Sequence, residues 1–375
     1  MSASGLSFTS RRDTALDGFR GLMTLLVVFS HYFAEIHGGF ARASCGWLAV
    51  DGFFVLSGLM VGRLVLEKGA AENFMTVFYV RRAFRTLPIY FVCLAVALIL
   101  APLSGLPDDA RVPAWSYFAF VNNIYSAVTG DVGRAWLSPC WTMAVEEQFY
   151  LVAPALLLFT PRHARVPMLG AVVVLAIVSR AILMQAGAPG TASTMLLISR
   201  ADCLAIGLAS AVLLNGTVDW TQRRWLSLAA VAFTFALAFV FGASSMVLIG
   251  HTLICAGVAV YLMAVAQGAP ERKSLDRRAL RYCGDTSYAI YLTHMPTLWI
   301  AHSVLLGAAP RIDTLSGLLV TATCVPVVFA LAHVLTRFVE APITALGRRV
   351  PWRAPRTLEE ASAASPLGST LSLGS

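Results

Sequence analysis

The chain has 375 residues, of which 58% are hydrophobic and 13% charged, and its mean hydropathy is +0.72. Soluble domains carry about 25% charged residues, so a single soluble core is excluded, and apolar runs of about 18 or more residues recur as in a polytopic membrane protein. The net charge of +8 would suit nucleic acid, but the basic residues fall in short segments between apolar runs, as on a cytoplasmic membrane face, and no nucleic-acid partner is expected.

In lipid every backbone polar group must be satisfied within the segment or a closed barrel. The runs are continuous rather than alternating, so the expected fold is all-α: a polytopic bundle of about ten transmembrane helices. The expected spans are 17–36, 47–66, 87–104, 142–160, 166–186, 196–215, 224–243, 246–267, 286–307 and 315–338. With the N-terminus inside, 19 of the 28 Lys and Arg lie in inner segments, 4 in outer loops and the rest within spans. That bias predicts both termini in the cytoplasm. The first apolar stretch has no small-residue cleavage site and reads as a span rather than a signal peptide. A transmembrane domain over 1–346 and a cytoplasmic, disordered tail over 347–375 are expected, the tail because 354–375 is rich in Ala, Ser, Gly and Leu without periodicity.

The first span, GFRGLMTLLVVFSHYF, carries Arg20 and His31. Ionisable residues inside a span are costly and suggest function. Eleven residues advance a helix about 16.5 Å and bring it back to nearly the same face, so Arg20 would sit at the cytoplasmic mouth and His31 deep on one polar stripe. Asp17 could orient Arg20, and Glu35 lies within a turn of His31. Snorkelling of Arg20 and a packing role for His31 are the plainer readings.

In VDGFFVLSGLMVGR, residues 50–63, Gly52, Ser57, Gly58 and Gly62 permit close helix packing, and Asp51 could be an N-cap. In FYVRRAFRTLPIYF, residues 78–91, Arg81, Arg82 and Arg85 are expected just before the third span. Arg82 and Arg85 share a helix face and suit phosphate groups; an ordinary basic flank is the alternative. The outer loop 105–141, with three prolines and Trp115 and Trp136, should be ordered with interfacial pieces.

WLSPCWTMAVEEQFYLVAP places Glu146 and Glu147 at the outer part of a span. One of them could pair with a buried arginine such as Arg63, Arg180 or Arg200, as a structural ion pair or in catalysis. In SRADCLAIG, Arg200 and Asp202 read as a structural pair. In YCGDTSYAIYLTHMP, His294 precedes Pro296 and reads as packing at a kink or as a second polar pore residue. The seven cysteines show no metal-ligand spacing, so no metal is expected. Cys45 and Cys140 fall just outside spans on the outer side, where a disulfide could persist.

These pieces in this order resemble the acyltransferase 3 family of bacterial integral-membrane acyltransferases. LDGFRGLMTLLVVFSHYF is similar to its opening motif, an arginine, ten residues and a histidine. VDGFFVLSGLMVGRL with FYVRRAFRTLPIYF is similar to its second signature, and WTMAVEEQFYLVAP, RADCLAIGLASA, GDTSYAIYLTHMP and RFVEAPI to later blocks. The resemblance runs over about residues 13–345. It implies transfer of an acyl group, most often acetyl, from cytoplasmic acyl-CoA to a hydroxyl of an extracytoplasmic glycan, lipid-linked saccharide or small molecule, in the cytoplasmic (inner) membrane among its lipids. It also implies His31 as the catalytic histidine, Arg20 as its motif partner, and Arg82 and Arg85 as a cytoplasmic pair; Arg20, Arg82 and Arg85 are then expected to bind the phosphates of acetyl-CoA or another acyl-CoA. Glu35 or Glu146 would orient the histidine. The block often read WSLSVEEQFY is here WTMAVEEQFY, which removes a hydroxyl near Glu146. A polysaccharide or lipid exporter would also place charges within a bundle and is the rival reading.

Overall fold

The computed structural model describes residues 13–34, 45–101, 110–241 and 243–354. Among them there is no strand, and each of the ten expected segments overlaps a helix. The ten are α1 (Thr14–Phe29), α2 (Cys45–Lys68), α3 (Phe74–Leu100), α4 (Cys140–Phe159), α5 (Arg165–Gln185), α6 (Leu197–Leu213), α7 (Trp225–Phe241), α8 (His251–Ala266), α9 (Ser287–Leu306) and α10 (Leu315–Leu335). A π turn, Ser30–Ala34, continues α1, and another, Met246–Gly250, leads into α8.

Seven of the helical stretches are long and apolar enough to cross a membrane, so this is a multi-pass membrane protein. The other three are α1, α7 and α9. Charged residues interrupt α1, and polar residues interrupt α9. The 17 residues of α7 rise about 26 Å, short of a typical hydrocarbon core of ~30 Å.

The tightest pair is α2 against α6. A β-carbon on Gly58 would lie 2.2 Å from the Leu204 carbonyl oxygen and 2.9 Å from Gly207 Cα, so only glycine lets these backbones meet. The same device fixes α1. A β-carbon on Gly21 would lie 2.0 Å from the Leu280 oxygen, and one on Gly284 would lie 2.0 Å from the Asp17 oxygen. Gly21 and Gly284 therefore seat α1 on the short helix Arg278–Asp285.

Several expectations need correction. α3 begins at Phe74, well before residue 87, so Arg81, Arg82 and Arg85 lie on the helix rather than ahead of it. Asp51 is not an N-cap. It sits inside α2, fully buried, ion-paired with Arg200 of α6 and 2.9 Å from His251 Nδ1 of α8. Arg200 and Asp202 are not partners either. Asp202 pairs with Arg180 at 2.9 Å, and Arg180 also donates to the Ser199 and Leu248 carbonyls at 2.6 and 3.0 Å. Cys140 is a free, buried thiol. The disulfide instead joins Cys203 of α6 to Cys255 of α8, beside Asp51.

The loop expected on the outer side forms short helices at Ala114–Phe118, Asn122–Thr129 and Ala135–Leu137. Phe120 there has φ +54°, a conformation that bulky side chains avoid. The Gln148 amide holds it by donating to the Phe120 oxygen at 2.8 Å, and its ring stacks on Tyr90 at 4.7 Å. At the other end, a short helix Ala341–Arg348 crosses residue 346, and the chain stays ordered through residue 354. Arg81 donates to the Val350 oxygen at 2.7 Å and lies 4.8 Å from the Trp352 ring, which clamps this segment to α3. Residues 355–375 of the expected tail lie outside the described residues.

Candidate active site

A cavity of about 260 Å³ runs between α1, α2, α3, α4 and α9. Its lining on α2 extends from Val50 to Leu64, which at 1.5 Å per residue is about 21 Å of helix. The Arg63–Asp13 ion pair, 3.6 Å, ties the end of α2 to the start of α1. One end of the cavity is therefore basic, with Arg20, Arg82 and Arg85. The other is lined by Val50, Phe53, Thr142 and Tyr291.

Each arginine is placed by a local device. Arg20 Nη1 bonds Asp17 Oδ1 at 2.9 Å, one helical turn before it. The Arg82 guanidinium lies 3.8 Å from the Tyr150 ring centroid, a cation–π contact that holds the group against α4. Arg85, three residues on, shares that face. Arg81 is rotated away to the C-terminal segment.

Beside the arginines the lining is carboxylate and hydroxyl. Ser57 Oγ donates to Glu146 at 2.5 Å, and Tyr150 OH donates to Ser57 Oγ at 3.3 Å. Among the described residues Glu146 makes no ion pair. The arginines expected to partner it are engaged elsewhere: Arg63 with Asp13, Arg180 with Asp202 and Arg200 with Asp51. Glu147 does not line the cavity, and its carboxylate lies near Arg82 and Thr86. The missing hydroxyl of the WTMAVEEQFY block does not leave Glu146 bare, because Ser57 reaches it from α2.

His31 does not line the cavity, contrary to a single stripe shared with Arg20. It lies on the π turn that ends α1, one layer behind Tyr291. The π turn inserts an extra residue into the helical repeat, a feature frequent at functional sites, and it presents His31 and Tyr32 together to α9. His31 Nδ1 is 2.8 Å from His294 Nε2, with the rings stacked at 5.0 Å. Tyr32 OH donates to the His294 carbonyl at 2.7 Å. The His294 ring lies 5.7 Å from that of Tyr291, whose hydroxyl meets Thr142 at 2.6 Å and donates to Pro139 O at 3.0 Å. His294 is thus fully buried yet bonded to a second imidazole, which goes beyond packing at Pro296. Glu35 lies outside the described residues.

Sequence reasoning passed over Ser57 as a packing residue and did not single out Tyr150, Tyr291 or His251. Tyr150 is one turn from Glu146 and Tyr291 three residues from His294, so the helical repeat carried a signal for both. His251 is an ionisable residue within the expected span 246–267, the same signal that marked His31. Chemically, three guanidiniums at one end of a slot can hold a polyanion, and an imidazole pair beyond the other end can move a proton.

An α-helical membrane bundle with a polar slot of this kind is the architecture of an enzyme or transporter that works within the bilayer. The chain matches the acyltransferase domain model, acyltransferase 3, over residues 13–335; it belongs to this family and by that membership is an acyltransferase domain. It is 29% identical to the peptidoglycan O-acetyltransferase OatA of Listeria monocytogenes, in an alignment covering 88% of this chain and 55% of that protein. It is 23% identical to the O-acetyltransferase OatA of Staphylococcus aureus, covering 91% of this chain and 58% of that protein. The chain therefore spans little more than half the length of the curated relatives it matches. No solved structure matches it.

Proposed function

We propose that the protein is a membrane-bound O-acyltransferase that moves an acyl group, most commonly acetyl, from cytoplasmic acyl-CoA to a hydroxyl of an extracytoplasmic glycan. The observation that carries this reading is the single cavity with Arg20, Arg82 and Arg85 at one end and Tyr291, backed by His294 and His31, at the other. In the expected topology of ten spans with both termini in the cytoplasm, the basic end opens inward and His31 lies toward the outer face of the inner membrane. The arginines bind the phosphates of the donor, and the slot takes the arm that carries the thioester outward.

At the outer end His31, as neutral imidazole, is the base. The acceptor oxygen attacks the thioester carbonyl while its proton passes to the histidine. The new C–O bond forms, the C–S bond breaks, and the proton then leaves with the thiolate as free thiol. Loss of such a base costs about 10²–10⁴ in rate. Glu146, held by Ser57 on the cavity wall beside Arg20 and Arg82, orients groups in the slot rather than the histidine. The relatives' names make peptidoglycan the first acceptor to examine.

The test is the O-acetyl content of the host's envelope glycans, by proton NMR, in a deletion strain complemented with wild type, with His31→Ala, or with neither. Restoration by wild type alone, at equal membrane levels, is the expected result. Full restoration by His31→Ala would remove the histidine from the chemistry. Glycans unchanged by the deletion would shift the reading to another acceptor or to export.

A further inference from the structure

We infer that His294 is the positioning residue for His31: its neutral imidazole sets the tautomer of the base and receives its hydrogen bond. The inference rests on the reading of His31 as the base.

Two carbonyl oxygens face His294 Nδ1, that of Tyr291 at 2.8 Å and that of Ile290 at 3.2 Å. Carbonyls only accept, so Nδ1 carries the hydrogen. In a neutral imidazole the lone pair then lies on Nε2. The atom 2.8 Å from that lone pair is His31 Nδ1, which must therefore be the donor. Neutral His31 consequently holds its own lone pair on Nε2, the nitrogen directed away from His294. The chain of bonds from the α9 backbone to His31 Nδ1 thus admits one arrangement of protons.

The same contacts fix position. His294 is fully buried, its backbone oxygen is bonded by Tyr32, and its ring stacks on His31. When His31 Nε2 takes the acceptor's proton, the bond from Nδ1–H to His294 becomes charge-assisted and strengthens. The stabilisation arises mainly as the proton arrives, which favours the transition state over the resting state. His294 gains no proton at any step. It does for His31 what a buried aspartate does for the histidine of a hydrolase triad, without placing a second charge in the bilayer.

The test uses the full chain in lipid vesicles, labelled with ¹⁵N-histidine, with acetyl-CoA as donor and soluble peptidoglycan fragments as acceptor. The variants are His294→Gln, which keeps an acceptor oxygen near the Nε2 position, His294→Leu, which fills the space without one, and His31→Gln. The ¹⁵N spectrum should show His31 protonated on Nδ1 in wild type and in His294→Gln, and a mixture of tautomers in His294→Leu. His294→Leu should lose at least about tenfold in kcat, up to the ~10⁴ that loss of the orienting group costs in a triad, with KM for acetyl-CoA unchanged. His294→Gln should recover most of that loss. A His31 tautomer unchanged in His294→Leu overturns the proposal, whatever the turnover. Wild-type activity in His31→Gln would instead sink the reading of His31 as base, while an inactive His31→Gln beside a fully active His294→Leu sinks the positioning role alone.

Discussion

Asp51 and Arg200 stand 149 residues apart in the chain and form an ion pair with no solvent exposure on either side chain. His251 completes the group by bonding the other carboxylate oxygen. The Arg200 guanidinium also lies 5.5 Å from the Phe54 ring, and Phe54 lines the cavity. The pair therefore joins α2, α6 and α8 behind the cavity wall.

Removing one member should be severe, because the other charge is left buried and unpaired. Asp51→Asn is expected to destabilise the fold by about 3–5 kcal/mol. The double variant Asp51→Ala with Arg200→Met should lose less than Asp51→Ala alone, since no orphan charge remains. Thermal unfolding of the full chain in detergent, followed by size-exclusion chromatography, orders the variants. An Asp51→Asn protein that unfolds at the wild-type temperature would show that the pair does not stabilise the bundle.

Arg82 is expected to act on donor binding, and lysine should not replace it. Its planar guanidinium lies on Tyr150 at 3.8 Å, a contact that a compact ammonium does not reproduce. Arg82→Ala should raise KM for acetyl-CoA about ten- to a hundredfold, equivalent to ~1.5–3 kcal/mol for a hydrogen bond to a charged group. Arg82→Lys should recover only part of this, and kcat should change less than KM in both. Steady-state kinetics at varied acetyl-CoA decides it. A fall in kcat at constant KM would place Arg82 nearer the reaction than the phosphates.

The helices were legible in the sequence because lipid leaves the backbone no alternative. The Arg20–Asp17 contact was legible because three residues bring side chains to one face. The start of α3 was missed because Arg81, Arg82 and Arg85 lower local hydropathy, although arginine is a good helix former. Contacts between distant helices were not legible. Nothing in spacing joins Asp51 to Arg200, Cys203 to Cys255 or His31 to His294, since each depends on which helices pack together. One partner of His31, His294, sits on a helix more than 260 residues away in the chain, and Glu35, the expected neighbour, lies outside the described residues.

Glycine substitutions should separate close packing from open surface. A methyl group on Gly58 has no room against Leu204 and Gly207, so Gly58→Ala should cost about 1–3 kcal/mol from overpacking and reduce the yield of folded protein in the membrane. Gly170 of α5 is the control, because nothing lies within 4 Å of its added β-carbon. Gly170→Ala should instead gain about 0.5–1 kcal/mol by stiffening the helix. Equal thermal stability of the two variants would contradict the backbone contact between α2 and α6.

The Cys203–Cys255 bond closes a separation of 52 residues and pins α6 to α8 where both meet Asp51. In the chain-entropy account a loop of this size contributes about 3–4.5 kcal/mol. Cys203→Ser with Cys255→Ser should therefore lower the unfolding temperature, and reductant applied to the unfolded wild type should release two further thiols to alkylation. Mass spectrometry after alkylation, with and without reductant, reads this directly. The four cysteines 93, 140, 283 and 324, free in the structure, should react without reductant once the chain is unfolded. If residues 203 and 255 are alkylated in the unreduced, unfolded protein, the two helices are held by packing and the Asp51–Arg200 pair rather than by the covalent bond.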